Sequence, residues 1–459
     1  MSFSESFLWG VASSAYQIEG AADVDGRGKS IWDLYCEQWG VIADGHGGHL
    51  GCDHYYRRTE DVDLISDLGV GAYRFSVSWP RVLPHGVGEV NEKGLAFYDQ
   101  LIDELLQRGI SPWLTLFHWD LPASLYYRGG WLNRDIIHWF AEYTELLVDR
   151  FSDRVQNWIT LNEPQCFIGI AHGLGIHAPA VKYHDREIVR AIHHSLLAHG
   201  KAVEVIRSLS KKPSQVGWSP AGFIYYPQSE ITENLEAAKR KMFSIPGGNH
   251  WVLNNVWYSD PAILGAYPEE GLKRFERYLP RSYPKDLELI SQPLDFYGVN
   301  IYHGDPVVEK SGSPKKTHRG PGYPRTMMNW PIDPKAIYWG PKFLQERYQL
   351  PIYVTENGVA TQDWVHADGT VPDLGRIDYL TRYLSELQRC VSEGVDVRGY
   401  FHWTLLDNFE WDQGYSKRFG LVYVDFETQE RIPKSSYAWF KKLIESRAKN
   451  LPTEFSPLK

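Results

Sequence analysis

The stretches NWITLNEP, Asn157 to Pro164, and PIYVTENG, Pro351 to Gly358, decide how this chain is read. In the first, Trp158, Ile159 and Leu161 give strand character and Pro164 stops the pairing. In the second, Ile352, Tyr353 and Val354 do the same before the Asn357-Gly358 turn. Each ends in a glutamate, Glu163 or Glu356. A carboxylate at the tip of an apolar strand is held rigidly yet reaches a cleft, so two of them can share one reaction. Alone, either motif is most simply a loop entry or a hairpin turn. Together they carry weight.

Outward from these two, apolar strand-like runs recur along the chain. They fall near Leu8 to Ala12, Ala72 to Val77, Pro112 to Phe117, Trp158 to Leu161, Gln215 to Trp218, Leu294 to Val299, Ile352 to Thr355 and Arg398 to Trp403, the fifth being the weakest. Helical periodicity fills most intervals. Between Asn91 and Arg108, Leu95, Tyr98, Ile102 and Leu105 recur at three or four residues before Gly109, and Arg134 to Phe151, Asp185 to Ser208 and Arg376 to Glu393 read similarly. Eight alternating βα units predict a parallel sheet closed into one (β/α)8 TIM barrel over residues 1–459, with long βα loops forming an active-site cleft. No linker divides the chain. Lys310 to Arg325 is polar, basic and rich in Gly and Pro, and reads as a long surface loop at the rim of the cleft.

In such a barrel the carboxyl ends of all strands converge on one face. Gln17 follows the first strand, Arg74 lies in the second, and His118, Trp119 and Asp120 follow the third. Asn162 and Glu163 end the fourth. Asn300 and Tyr302 come after the sixth, Glu356 after the seventh, and Trp403 at the eighth, with Glu410 and Trp411 beyond. Singly each has a plain structural reading, but their joint position at strand ends favours a site.

Composition narrows the chemistry. With 48 basic and 57 acidic residues the net charge is −9, and no basic block is long enough to follow a phosphate backbone, which argues against nucleic acid or an anionic membrane as partner. No stretch is apolar enough to span a bilayer, and Met1 runs almost directly into FLWGVASSAYQ without a leader pattern, so a cytoplasmic enzyme is the expectation. Cys36, Cys52, Cys166 and Cys390 are scattered and read as reduced thiols. GHGGH, Gly45 to His49, and the adjacent His193 and His194 fit no ligand spacing, and there is no Walker or dinucleotide motif, so no metal or cofactor is expected. The 18 tryptophans exceed an average composition roughly threefold. Most fill a core, but aromatic faces also pack on sugar rings.

Two carboxylates, aromatic platforms and neutral hydrogen-bonding side chains suit cleavage of a glycosidic bond. One carboxylate attacks or activates water while the other protonates the leaving oxygen; their spacing, which sequence does not give, separates retention from inversion. Arg74 can keep one of them charged.

Several ordered motifs then carry a resemblance: FLWGVASSAYQIEGA, YRFSVSWPRVLP, TLFHWDLP, TLNEP, VTENG and HWTLLDNFEWDQGYSKRFGLVYVDF. The chain resembles the family 1 glycoside hydrolases, the β-glucosidase family of retaining enzymes, over nearly its whole length. The resemblance implies Glu163 as acid/base and Glu356 as nucleophile, with Arg74 behind the nucleophile. It implies sugar contacts at Gln17, His118, Trp119, Asn162, Trp403, Glu410 and Trp411, and Asn300 and Tyr302 near Glu356. Glu163 argues against a thioglucosidase, which carries glutamine there. Glu410 argues against a 6-phospho-β-glucosidase, with Ser416 and Lys417 nearby on the other side of the balance. The expectation is a retaining β-glucosidase acting on short oligosaccharides or aryl and alkyl glucosides, with β-galactosides and β-fucosides as further substrates. A transglycosylating β-glycosidase and an inactive sugar-binding barrel are the alternatives. Two departures from the family pattern are Thr404, where serine is commoner, and Ala180, where glycine is usual.

Overall fold

The computed structural model describes residues 2–456 and Leu458. Eight parallel strands close into a barrel in strict sequence order: β1 (Leu8–Ala12), β2 (Ala72–Ser76), β3 (Ser111–Phe117), β4 (Asn157–Asn162), β5 (Gln215–Ser219), β6 (Phe296–Asn300), β7 (Ile352–Asn357) and β8 (Val397–Trp403). β1 closes the ring against β8, with Leu8 opposite Gly399 and Ala12 opposite Trp403. All eight strands read from the sequence are present, within two residues at either end. Their continuous apolar runs follow from burial on both faces, inside by the barrel core and outside by helices.

The inside is filled rather than hollow. Trp113 from β3 packs against Tyr353 at a ring separation of 4.8 Å, Phe401 at 5.0 Å and Phe296 at 5.3 Å, with Ala12, Ala72 and Ile159 completing the layer. Gly10 makes this possible: a Cβ there would stand 2.4 Å from the Phe401 ring. Outside, the helices Glu92–Gln107, Ile136–Phe151, Asp185–Leu209 and Leu374–Ser392 lie where the periodicity placed them and turn their apolar faces to the barrel. His193 and His194, whose adjacency fits no ligand spacing, sit in this layer. His193 bonds Asp286 and the Tyr267 hydroxyl, each at 2.9 Å, and His194 bonds the Trp131 carbonyl at 3.0 Å. Among the described residues no three His, Cys, Asp or Glu side chains converge on a metal position. Nor is any helix there long and apolar enough to cross a membrane.

One expectation needs correction. Lys310 to Arg325 is not all loop: Gly304–Lys310 and Ser313–Lys316 form an antiparallel hairpin. With Ile224–Pro227 they make a three-stranded sheet outside the barrel, against which helix Thr232–Met242 packs. The misreading has a physical cause. SPKK has little intrinsic strand preference, and its extended form is imposed by pairing with Val307 to Lys310.

The loops after β7 and β8 are tied together below the surface. The buried Lys434 ammonium bonds Asp363 at 2.6 Å and Asp407 at 2.7 Å, and Arg376 bonds Asp363 at 2.8 Å. Such fully buried ions stay charged only because each has several partners.

Candidate active site

At the carboxyl ends of the strands lies a cavity of about 620 Å³. Glu163 and Glu356 both line it, together with His118, Trp119, Asn300, Tyr302, Trp403, Glu410 and Trp411. Gln17, Arg74 and Asn162 stand directly behind that wall, fully buried.

The polar groups are connected so that each has a defined orientation. Arg74 Nη1 donates to Glu356 Oε1 at 2.6 Å, and its Nη2 donates to Asn162 Oδ1 at 2.6 Å. Tyr302 donates to the other oxygen of Glu356 at 2.7 Å. Asn300 Oδ1 accepts from Ser219 at 2.9 Å and Thr355 at 2.8 Å, which turns its Nδ2 toward Asn162 Oδ1 and toward Glu163 Oε1, at 3.1 and 2.9 Å. The Asn300 amide thus holds Glu163, while Arg74 and Tyr302 hold Glu356, and Asn162 joins the two sets through its Oδ1. Since Asn162 Oδ1 accepts twice, its Nδ2 must donate to His118 Nε2, 3.1 Å away. His118 then carries its proton on Nδ1, a buried donor with no protein partner. Burial and the Arg74 charge hold this imidazole neutral.

The two carboxylates are alike in burial and unlike in company. Burial, and then the negative charge of Glu356, push Glu163 up to about 7. Burial raises Glu356 as well, but the Arg74 charge and hydrogen bonds from Tyr302 and Arg74 pull against it. Glu356 is therefore the member of the pair that keeps its charge, while Glu163 holds a proton near neutrality. Glu410 is pushed well above the usual carboxylate range by burial and by the charge of Glu356, and Gln17 Nε2 lies 3.5 Å from its Oε2.

Local backbone aims these groups. Glu163 has φ +46°, Trp119 +80° and Trp411 +53°, left-handed conformations that cost a non-glycine residue on the order of 1 kcal/mol or more. All three side chains face the cavity. A π-helical segment, Gln165–Leu174, begins after Glu163 and Pro164 and carries Cys166, whose thiol donates to Glu163 Oε2 at 3.2 Å. The aromatic wall is continuous: His118 lies nearly parallel to Trp403 at 5.8 Å, and Trp119 and Trp411 sit 4.4 Å apart.

Some lining residues escaped the sequence reading. Cys166 gave no signal beyond standing three residues after Glu163. Phe223 precedes the outer sheet, Tyr225 and Lys241 come from that sheet and its helix, and Met328 and Trp330 come from the segment after the hairpin. Phe419 stands within a motif already quoted, but its place on the wall was not foreseen. Of the two departures, Thr404 is buried and donates to the Ala12 carbonyl at 2.6 Å. Ala180 has φ +57°, a conformation in which glycine is free of strain.

A closed parallel barrel bearing two buried, differently tuned carboxylates and an aromatic wall defines a carbohydrate-cleaving barrel enzyme as the class. Residues 1–449 match Glycosyl hydrolase family 1. Beta-glucosidase A of Thermotoga maritima is 44% identical over 447 residues, covering 97% of this chain and 98% of that one. Beta-glucosidase A of Acetivibrio thermocellus is 42% identical, covering 97% and 99%. The structure of the Thermotoga maritima beta-glucosidase in complex with castanospermine superposes with a TM-score of 0.88 at 44% identity, covering 97% of this chain and 99% of that one. The chain belongs to glycosyl hydrolase family 1 and is a glycoside hydrolase.

Proposed function

We propose that this enzyme is a β-glucosidase working by double displacement, with Glu356 as nucleophile and Glu163 as acid and then base. The observation that carries the assignment is a pair of buried carboxylates of opposite company on one cavity, Glu356 held by Arg74 at 2.6 Å and Tyr302 at 2.7 Å, and Glu163 held only by the neutral donors Asn300 and Cys166. Glu356, charged beside Arg74, attacks the anomeric carbon and forms a glycosyl ester while Glu163 gives its proton to the leaving oxygen. Ester formation removes the Glu356 charge, which lowers the proton affinity of Glu163 and lets it deprotonate the incoming water. Overall the anomeric configuration is retained.

Trp403 underlies the pyranose ring, and Glu410, backed by Gln17, meets sugar hydroxyls. Asn162, with both amide ends engaged, orients Arg74, Asn300 and His118 and so sets the floor on which Trp119 and Trp411 close. Glu410 lines the cavity and Ser416 and Lys417 do not, so the loop after β8 brings no cation to the cavity wall, which favours an unphosphorylated glucoside over a 6-phosphate. The substrates are terminal non-reducing β-glucosides of short oligosaccharides or of aryl and alkyl alcohols, with β-galactosides and β-fucosides accepted as well. The four cysteines are free, in keeping with an intracellular place of work.

A panel of nitrophenyl β-glycosides, with and without a 6-phosphate, tests the glycone. The Glu356→Ala variant tests the nucleophile: turnover falls by at least about 10⁴-fold, and azide restores it with α-glycosyl azide as product. A β-azide product, or undiminished turnover, removes Glu356 from that role.

A further inference from the structure

Toward its mouth the cavity changes sign. Its floor holds Glu163, Glu356 and Glu410, whereas the wall made by the outer sheet and its helix holds two lysines, Lys241 and Lys316, and one acid, Asp305. Their ammonium groups lie 5.8 and 5.0 Å from the centre of the same ring, that of Tyr225. Lys316 pairs with Asp305 at 2.5 Å. Lys241 differs from its neighbours Lys239 and Arg240, which pair with Glu346 and Glu309; it has no carboxylate partner among the described residues. Beyond Asp305 and Lys316 a second cavity of about 550 Å³ continues outward, lined by Arg319 and Arg325 among others. The segment Lys310 to Arg325 that forms it holds five Lys or Arg and no acid, in a chain of net charge −9.

Resting on the β-glucosidase reading above, we infer that the aglycone site takes an aromatic aglycone whose far end bears an anionic group such as a carboxylate. The ring of such an aglycone finds Tyr225, Trp330 and Met328 along the wall, and its anion finds Lys241 and Lys316 at the mouth. The charge on Glu356 repels the anion, so the charge pattern favours one orientation, glucose inward and anion outward. Lys316 is half exposed, so the attraction is modest and sensitive to salt.

Two glucosides with the same biaryl leaving group test this, one with a carboxylate on the distal ring and one with the carboxamide in its place. The carboxylate has a kcat/KM about fivefold to tenfold higher at low salt. That preference disappears at about 0.5 M sodium chloride. It also disappears in the double variant Lys241→Gln, Lys316→Gln, while kcat/KM for the carboxamide stays within about twofold, which shows that the variant is folded and active. Equal rates for the two compounds in the wild type, or a preference that survives the double variant, overturn the inference. If neither compound is cleaved, the β-glucosidase reading fails first and takes this inference with it.

Discussion

The floor and the mouth of the cavity come from different parts of the chain and obey different physics. The floor is built from barrel strand ends, where Arg74, Asn162, Asn300, Tyr302 and the two carboxylates form one connected set of hydrogen bonds in a buried setting. The mouth is built from a hairpin, a short helix and loops outside the barrel, and its charges are partly exposed. A buried group that loses its partner there has no water to replace it, so changes at the floor cost far more than changes at the mouth. Chemistry is thus fixed where the backbone is rigid, and selectivity for the leaving group is set where it is adjustable.

Glu163→Gln breaks the floor most informatively. With a poorly activated alkyl or cellobiose leaving group, kcat/KM falls by about 10² to 10⁴-fold, whereas a leaving group that needs no proton loses far less in the glycosylation step. The wild type needs Glu163 protonated, so its kcat/KM declines as pH rises through about 7, and that alkaline limb is absent from the variant. A uniform loss across leaving groups, with the limb intact, contradicts the assignment.

Tyr302→Phe removes one of the bonds that keeps Glu356 charged. The 2.7 Å donor is lost from a buried carboxylate, so its proton affinity rises and the acidic limb of kcat/KM moves to higher pH. The loss at the optimum is about tenfold, equivalent to about 1.4 kcal/mol for a hydrogen bond to a charged group. An acidic limb that stays in place means that Arg74 alone holds the charge.

The same division explains what sequence conveys. All eight barrel strands are legible because burial on both faces leaves continuous apolar runs, and strand ends follow directly from them. The nine residues that line the cavity, and the three behind it, sit in those strands or in the loops and turns that follow them. The mouth is not legible in that way. Lys241, Tyr225, Met328 and Trp330 meet only through tertiary packing between insertions, and neither period nor propensity marks them. Nor does sequence reveal that Gln17 and Asn162 spend their amides on the protein itself, since that depends on which neighbours distant strands and loops deliver.

Cys166 lies between the two regions in effect as well as in place. Burial keeps its thiol protonated, so it donates to Glu163 Oε2 at 3.2 Å while Asn300 donates to Oε1 at 2.9 Å. Both bonds favour the ionised carboxylate, and a thiol does so more weakly than a hydroxyl. Cys166→Ser therefore lowers the proton affinity of Glu163, and the alkaline limb of kcat/KM moves down by about half a unit to one unit. Cys166→Ala removes the donor and moves the limb up. A packing defect alone changes the height of the profile but leaves the limb where it was, so opposite displacements in the two variants identify the hydrogen bond as the cause. With a substrate that needs no proton, both variants keep their rates within about threefold.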